Sequence, residues 1–512
     1  MIRKILIANR GEIAVRIGRA CRELGIRSVA VYSDIDQHAL HVRMADEAYP
    51  IGPAPVSDSY LAVGRILEVA RRCRADAVHP GYGLLSENAQ FARAVQEAGL
   101  IFIGPSPQAI HAMGNKAAAR EKMQIAGVPV VPGFQGALDT DLELMSAGAE
   151  VGYPLLIKAA AGGGGKGMRV VWQASELLEM ADAARREAMH AFADGRLILE
   201  KYVPHAHHVE FQVLGDQQGK LLHVFERECS VQRRHQKIIE ESPSPLMDAE
   251  LRRKMGAAAV SAAQAAGYSN AGTVEFIIDP DTRQFFFLEM NTRLQVEHPV
   301  TEAVVGIDLV QWQIRIAAGE RIPFEQEDLS QRGHAIECRL YAEDPEHRFL
   351  PASGKILLFR SPRGPGVRVD SGVTSGDEIS VHYDPLIAKI IVYAADRQAA
   401  IRKMNSCLQE TVLLGLTSNL RFLRDVLEHP DYQQGNVHTT WVEEKFADWE
   451  QPQCGVEPVV LIAAAFSEKR TPPTPALGRG KRGAYSPWHL NSSFRLSSTG
   501  KAEPSKRGGE IE

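Results

Sequence analysis

The sequence predicts a multidomain protein of mixed α/β and α+β class, and three observations lead there. A chain of 512 residues exceeds what one compact core holds, so about three or four units are expected. The opening reads strand, helix, strand, which calls for a parallel sheet with helices on its faces. Further along, two pairs of apolar runs are joined by glycine-rich or Asp-Pro turn chemistry, as in hairpins.

Ile5 to Ala8 is a short buried strand, and Ile13, Ile17, Ala20, Cys21 and Leu24 recur at helical spacing until Gly25 ends the helix. Ser28 to Tyr32, Ala77 to His79 and Leu100 to Ile103 continue the sheet, the last two beside Pro/Gly turns. Together they form a Rossmann-like N-terminal domain over residues 1–114. No GxGxxG follows the first strand, so a dinucleotide ligand is not expected. A second domain spans 115–330. It opens with a helix from Lys116 to Ala126 and holds a small subdomain at about 131–203, with strand-like Tyr153 to Ala159, Met168 to Trp172 and Leu197 to Tyr202. His208 to Leu214 follows as a further strand. A third domain covers 331–446. The remainder, 447–512, is rich in Pro, Ser, Gly, Lys and Arg, and from about Glu468 little independent structure is expected.

Composition bounds the function classes. The chain is 45% hydrophobic and 24% charged, ordinary for a globular protein, and its formal charge of −5 argues against a nucleic-acid or membrane partner held by bulk electrostatics. Six cysteines are scattered without a CxxC pair, which fits a reduced, cytoplasmic protein. No apolar run approaches the ~20 residues of a membrane span, Val459 to Phe466 being the longest obvious candidate, and Met1 to Arg10 does not read as a signal peptide.

Five segments carry chemistry. Gly162 to Gly165, then Lys166, Gly167 and Met168, lie between β-like runs, where glycines let backbone N–H groups approach phosphate oxygens; a flexible surface loop is the plain alternative. Thr273 to Asp279 and Gln284 to Met290 flank Asp-Pro-Asp-Thr-Arg. A hairpin symmetric about Thr282 sets Glu275 opposite Glu289, with Asn291 on the face of Glu289. Two facing carboxylates and an amide suit Mg2+ or Mn2+; an exposed acidic face is the alternative. In Asn291 to Pro299, Arg293 offers a fork for a small anion, Gln295 a donor and Glu297 a general base, unless the stretch is only a polar helix-capping loop. His208, Glu210 and Gln212 share a strand face that can look into a nucleotide cleft, and the run Gln232 to Lys237 adds positive charge, although such a run by itself is usually a solvated face. His205, His207 and His208 match no common zinc spacing, so a metal cluster of the three is not expected.

Together these segments closely resemble the biotin carboxylase family of ATP-grasp enzymes, from Ile5 to about Glu443. The resemblance is carried by Ala8-Asn9-Arg10-Gly11-Glu12-Ile13-Ala14, His79-Pro80-Gly81-Tyr82-Gly83, the tetraglycine loop, Glu226 to Lys237 and Glu289 to Pro299. It implies an ATP-grasp central domain and a mixed biotin carboxylase C-terminal domain. Lys116, Lys158, Glu200, Lys201, Val203, His208, Gln232 and His235 match ATP-binding positions, with Gly163, Gly164, Gly165, Gly167 and Met168 in a lid over the phosphates. Glu275, Glu289 and Asn291 match metal ligands. Lys237, Arg293, Gln295, Val296 and Glu297 match the bicarbonate pocket, Glu297 being the base. Arg339 matches the residue that steadies the biotin enolate, and Tyr82 lies in a segment near biotin.

The implied reaction is phosphoryl transfer from ATP to bicarbonate, giving carboxyphosphate, and then carboxylation of biotin. A lid would protect so labile an intermediate from water. The implied partners are a biotin carboxyl carrier protein or domain, carboxyltransferase subunits and a second copy in a homodimer. Longer family members carry biotin within Met-Lys-Met, a tripeptide this sequence lacks, so biotin is expected on a separate carrier. Gly483 to Trp488 look similar to the start of the linking region in acyl-CoA carboxylase α subunits. Acetyl-CoA carboxylase and fatty acid biosynthesis are the expected setting, with pyruvate and urea carboxylases, another ATP-grasp ligase, or a non-catalytic nucleotide-binding subunit as rival readings.

Overall fold

The computed structural model describes residues 2–134, 138–160, 168–192, 194–234 and 236–452, with the backbone alone at 116, 117 and 192. The glycine run 161–167, His235 and everything from 453 onward, including Val459 to Phe466 and Gly483 to Trp488, lie outside the described residues. Residues Met1–Gln451 form one compact unit.

The expected parallel sheet is present. Lys4–Ile7 (β1), Arg27–Ser33 (β2), Glu47–Gly52 (β3), Ala77–His79 (β4) and Ile101–Phe102 (β5) lie in the order β3-β2-β1-β4-β5, every pair parallel. Strand alternation sends Ile5 and Ile7 to one face, against Ile13, Ile17, Ala20 and Cys21 of the helix Gly11–Glu23. Leu6, Val29 and Val31 face the other way and meet Ile66, Ala70, Phe91 and Val95. With both faces covered, these strands read as continuous apolar runs. The sequence reading contains no counterpart of β3, because Glu47-Ala-Tyr-Pro-Ile-Gly carries a proline; as an edge strand it tolerates one.

A small antiparallel sheet follows. It consists of Gly133–Phe134 (β6), Leu155–Ala159 (β7), Arg169–Val171 (β8) and Leu197–Lys201 (β9), in the order β6-β9-β7-β8. β7 and β8 form the hairpin expected around the glycine run. The helices Asp141–Val151 and Leu177–Phe192 bring Leu144 and Leu177 onto Leu155, Ile157, Val171 and Leu199.

The largest sheet has eight antiparallel strands. They are His207–Gly215 (β10), Leu221–Arg233 (β11), Gln236–Ser242 (β12), Asn270–Ile278 (β13), Phe285–Asn291 (β14), His334–Tyr341 (β15), Val367–Ser371 (β16) and Leu386–Ala394 (β17), in the order β14-β13-β10-β11-β12-β15-β17-β16. Along one end, Val209, Phe211, Val213, Val274 and Phe276 pack on Met123, Met255 and Ala259. Towards the other, Ile336, Cys338, Ile390 and Val392 pack on Met404, Phe422 and Val426. The alternate residues of the same strands, Glu210, Gln212, Glu240, Glu337, Arg339 and Lys389, are charged or polar and yet buried. The expected boundary near 330 falls inside this sheet, since β12 pairs with β15 through Ile239 opposite Cys338 and Glu240 opposite Glu337. The start of the expected tail is tied down as well: Trp449 Nε1 donates to Asp425 Oδ2 at 2.9 Å, and its ring meets Phe422. Among the described residues no helix is long and apolar enough to cross a membrane.

Candidate active site

The β13–β14 hairpin turns where Asp279 Oδ1 accepts the backbone N–H groups of Asp281 and Thr282, at 2.9 and 3.3 Å. Its register sets Glu275 opposite Glu289 and Thr273 opposite Asn291, with a one-residue slip just after Glu275. Glu275 is buried, so the exposed-face alternative fails. Its Oε1 accepts from Asn291 Nδ2 at 2.7 Å, Gln295 Nε2 at 2.8 Å and Lys237 Nζ at 3.0 Å, while His208 Nε2 lies 2.9 Å from Oε2. Burial alone would raise its pKa, but Lys237 and His208 hold the carboxyl well below the usual range.

Lys237 is the hub. Its ammonium donates to Glu210 Oε2 at 2.6 Å, Glu275 Oε1 at 3.0 Å and Glu297 Oε1 at 2.8 Å. Against the effect of burial, these three carboxylates hold its pKa well above the ordinary lysine value. Glu297 is fully buried, and Arg339 Nη2 donates to its Oε2 at 2.9 Å. Burial pushes its pKa up, yet Lys237, Arg339 and Arg227 together hold the carboxyl well below its usual range. Arg293 is aimed by three side-chain contacts, Nε to Glu87 Oε2 at 2.9 Å, Nη1 to Gln295 Oε1 at 2.7 Å and Nη2 to Asn291 Oδ1 at 3.2 Å, and by Nη1 to the Leu294 carbonyl at 3.2 Å.

These residues line one cavity of about 570 Å³, whose wall takes in His208, Lys237, Glu275, Glu289, Asn291, Arg293, Gln295, Val296, Glu297 and Arg339. The structure thus brings together every residue expected at the metal and bicarbonate positions. Two carboxylates facing across a hairpin beside an amide oxygen fit a hard divalent cation.

Below the cavity floor lies a charged layer. Arg227 Nε donates to Glu210 Oε1 at 2.5 Å, Nη1 to Gln212 Oε1 at 2.9 Å and to Thr301 Oγ1 at 3.0 Å, and Nη2 to Thr273 Oγ1 at 3.0 Å. Of the strand face His208, Glu210 and Gln212, only His208 therefore reaches the cavity; the other two are fixed beneath it. The run Gln232 to Lys237 is not a solvated face either. Gln232 is buried opposite Lys237, Arg233 pairs with Glu343 and covers the Phe349 ring at 4.5 Å, and Arg234 alone of the described residues in this run is an exposed cation.

Arg339 lines the cavity from β15, whereas Tyr82, in the N-terminal motifs, is not part of its lining and is linked to it through Glu12 and Lys389. Asn9 Nδ2 donates to the carbonyls of Pro80 at 2.6 Å and Tyr82 at 2.8 Å, across Gly81, whose φ of +65° and 2.9 Å clearance from Asn9 leave no place for a Cβ. The Tyr82 hydroxyl donates to Glu12. Lys389, fully buried, lies 3.0 Å from Glu12 Oε1, donates to the Val296 carbonyl at 2.8 Å and sits 5.8 Å from the Tyr82 ring centroid. It is also the cross-strand neighbour of Arg339.

The expected nucleotide residues divide. Lys158 pairs with Glu200 on adjacent strands of the small sheet, and Arg120 Nη1 donates to Glu200 Oε1 at 3.1 Å. Lys158, Glu200, exposed Lys201, buried Val203 and half-buried Met168 do not line the cavity. The side chain of Lys116, the four glycines and His235 lie outside the description. Sequence reasoning missed Glu87, Arg227, Glu240, Glu337 and Lys389. Two carried a signal: Glu87 as an acid shortly after the Tyr82 motif, and Arg227 inside the Glu226 to Lys237 motif, where it was given no role. Glu240 lies against Arg339, and burial, despite that arginine, pushes its carboxyl up to about 7. Glu337 is fully buried, and neither of its oxygens has a hydrogen-bond partner among the described residues; burial, against Lys389, raises it well above the usual range.

Comparison with known proteins fits this geometry. Residues 1–110 match the biotin carboxylase N-terminal domain, 115–325 the ATP-binding domain of the carbamoyl-phosphate synthase L chain, and 337–444 the biotin carboxylase C-terminal domain. A biotin carboxylase of Nostoc is 51% identical over 441 residues, 86% of this chain and 98% of its own. The chain belongs to the biotin carboxylase family. The α subunit of mitochondrial methylcrotonoyl-CoA carboxylase from Mus musculus is 49% identical over 97% of this chain and 69% of its own. Among solved structures, the biotin carboxylase domain dimer of Hydrogenobacter thermophilus 2-oxoglutarate carboxylase, in complex with MgADP, ADP and bicarbonate, is 46% identical. It covers 88% of this chain and 100% of its own at a TM-score of 0.84. The biotin carboxylase of Campylobacter jejuni gives 44% identity and a TM-score of 0.83, covering 87% of this chain and 99% of its own.

Proposed function

We propose that this cavity carries the first half-reaction of a biotin-dependent carboxylase, the ATP-dependent carboxylation of biotin by bicarbonate. The carrying observation is Glu297, an enclosed carboxylate set between Lys237 and Arg339 beside the Glu275–Glu289 pair. Bicarbonate seated between Lys237 and Arg293 competes with Glu297 for the Lys237 ammonium. That competition lifts Glu297 towards the range where it accepts the bicarbonate proton. Gln295 and the Val296 backbone complete the cradle, and Arg293 is held to it by Glu87. A bound Mg2+ or Mn2+ at Glu275, Glu289 and Asn291 would spread the charge of the transferring phosphate oxygens. Lys116, Lys158, Glu200, Lys201, Val203, His208, Gln232 and His235 are the nucleotide positions, with Gly163, Gly164, Gly165, Gly167 and Met168 over the phosphates. Arg339 steadies the ureido oxygen of biotin, with Tyr82 beside it.

Biotin arrives on a carrier and leaves carboxylated for a carboxyltransferase, and the active assembly is a homodimer, as in the Hydrogenobacter domain. The final acceptor is an acyl-CoA. Similarity to the methylcrotonoyl-CoA carboxylase subunit covers 97% of the chain against 86% for the Nostoc enzyme, which favours methylcrotonoyl-CoA over the acetyl-CoA first expected. The five cysteines among the described residues are buried and unpaired, which supports a reducing compartment, and the cytoplasm and the mitochondrial interior both fit.

The test is transfer of isotopically labelled bicarbonate to free biotin. Label should enter biotin only with ATP and Mg2+ together, and ATP cleavage should rise with biotin. Cleavage indifferent to biotin but driven by an amine acceptor would assign a different ATP-grasp ligase, and no nucleotide turnover would assign a silent subunit.

A further inference from the structure

Just before the helix His298–Val305 the chain turns along the cavity, and Gln295, Val296 and Glu297 all contribute to its wall. Such a turn has no helix or strand ladder to occupy its backbone, so each amide and carbonyl needs its own account. Two carbonyls are taken. His298 Nδ1 lies 2.9 Å from the Gln295 carbonyl oxygen, and the His298 backbone N–H adds a weaker contact at 3.4 Å. Lys389 Nζ donates to the Val296 carbonyl at 2.8 Å. The N–H groups that follow these carbonyls, those of Val296 and Glu297, donate to no group among the described residues.

Both donors stand behind the wall. His298 and Lys389 are fully buried and do not line the cavity. A carbonyl oxygen only accepts, so His298 carries its proton on Nδ1. Burial and the cations Lys389, Arg16 and Arg368 hold its pKa well below the usual range, so the ring is neutral. Its Nε2 is 3.9 Å from Glu302 Oε2 and makes no hydrogen bond among the described residues, which leaves the Gln295 carbonyl as the ring's one partner. Lys389 stays charged against the effect of burial, because Glu12, Glu337 and Asp370 surround it. In a trans peptide the carbonyl and the following N–H point in opposite directions, and these peptides are trans. Carbonyls drawn inward by His298 and Lys389 therefore turn the Val296 and Glu297 N–H groups towards the cavity.

We propose, resting on the bicarbonate reading of this cavity, that His298 and Lys389 are positioning residues for the anion: by holding the Gln295 and Val296 carbonyls they aim two consecutive backbone N–H groups at bicarbonate seated between Lys237 and Arg293. Donors fixed in advance need no reorganisation when the anion enters. Neither side chain touches the substrate. Lys389 also lies 3.0 Å from Glu12, which accepts from the Tyr82 hydroxyl, so one ammonium serves both the anion cradle and the Tyr82 segment.

The test is steady-state kinetics of bicarbonate-dependent ATP cleavage by the full chain with Mg2+. His298→Leu should raise KM for bicarbonate at least about tenfold, the scale of one hydrogen bond to a charged group. Its kcat at saturating bicarbonate and its KM for ATP should stay within about threefold of wild type. His298→Asn and His298→Gln separate aim from packing. The Asn amide nitrogen falls where Nδ1 stood and should restore the bicarbonate KM, whereas that of Gln falls where Nε2 stood and should not. Lys389→Met should raise the same KM at least about tenfold. A wild-type bicarbonate KM in His298→Leu, or Asn and Gln variants that behave alike, overturns the positioning roles. ATP cleavage by the wild type that ignores bicarbonate overturns the reading of the cavity itself, and the positioning roles with it.

Discussion

The parallel sheet and the eight-stranded sheet each have a buried interior, built on opposite principles. In the first, Ile5, Leu6 and Ile7 are closed in by side chains of their own kind on both faces. In the second, one face of β10, β12, β15 and β17 is apolar while the other is a layer of carboxylates and cations. Burying ions costs more than burying hydrocarbon, so the second sheet gives up stability that the first keeps. What it gains is a fixed field around Glu297, with donors aimed before substrate enters.

That contrast can be broken by mutation. Glu297→Gln should lower bicarbonate-dependent ATP hydrolysis about 10²–10⁴-fold while ATP still binds. Near-normal turnover in a steady-state assay would remove the base from the argument. Arg227→Met should destabilise the chain by about 3–5 kcal/mol, because Glu210 is left buried without its partner. Leu6→Ala in the parallel sheet should cost about 2–5 kcal/mol by cavity formation, with kcat preserved in the folded fraction. Urea denaturation paired with activity separates the two; equal loss of kcat in both variants would erase the distinction.

Glu241 sharpens the contrast through pH. Burial would raise its pKa, but Arg397, at 2.7 and 2.9 Å, and His334, at 2.6 Å, hold the carboxyl down to about 2. A depressed carboxyl contributes stability in full above its unfolded value near 4.5 and loses it as pH falls towards 2. The contribution is about 3 kcal/mol on the usual conversion of pKa shifts. Glu241→Gln should therefore be less stable at neutral pH and flatter between those limits. A wild-type slope retained in the variant would assign it to other groups.

Arg339→Ser should impair biotin carboxylation at least about tenfold more than ATP cleavage. Parallel loss of both would make it a nucleotide or folding residue. The smallest effect belongs to Glu337→Gln. A carboxyl held in its neutral form resembles an amide, so the change in unfolding free energy should stay below about 1 kcal/mol. A loss of several kcal/mol in urea would mean that Glu337 is ionised.

Much of this was legible in the amino-acid order, for local reasons. Apolar runs gave β1, β2 and β4, and Asp279 to Arg283 gave the turn that pairs Glu275 with Glu289. β3 was hidden by Pro50. The polar alternation of β10 was visible, but whether its face met solvent or buried arginine depended on β11, a strand with its own register slips. Lys389, Glu240 and Glu337 left no local trace, because their neighbours come from β12, β15 and β17, up to about 150 residues apart, and pairing at that range has no periodic signature.

The pairing of β12 with β15 bears on dissection of the molecule. A cut in the loop near 330 would leave two fragments, each exposing a bare strand edge with unmatched amide and carbonyl groups. Such halves should stick to themselves or zip back together by strand complementation, and neither would hold Glu297 and Arg339 in one place.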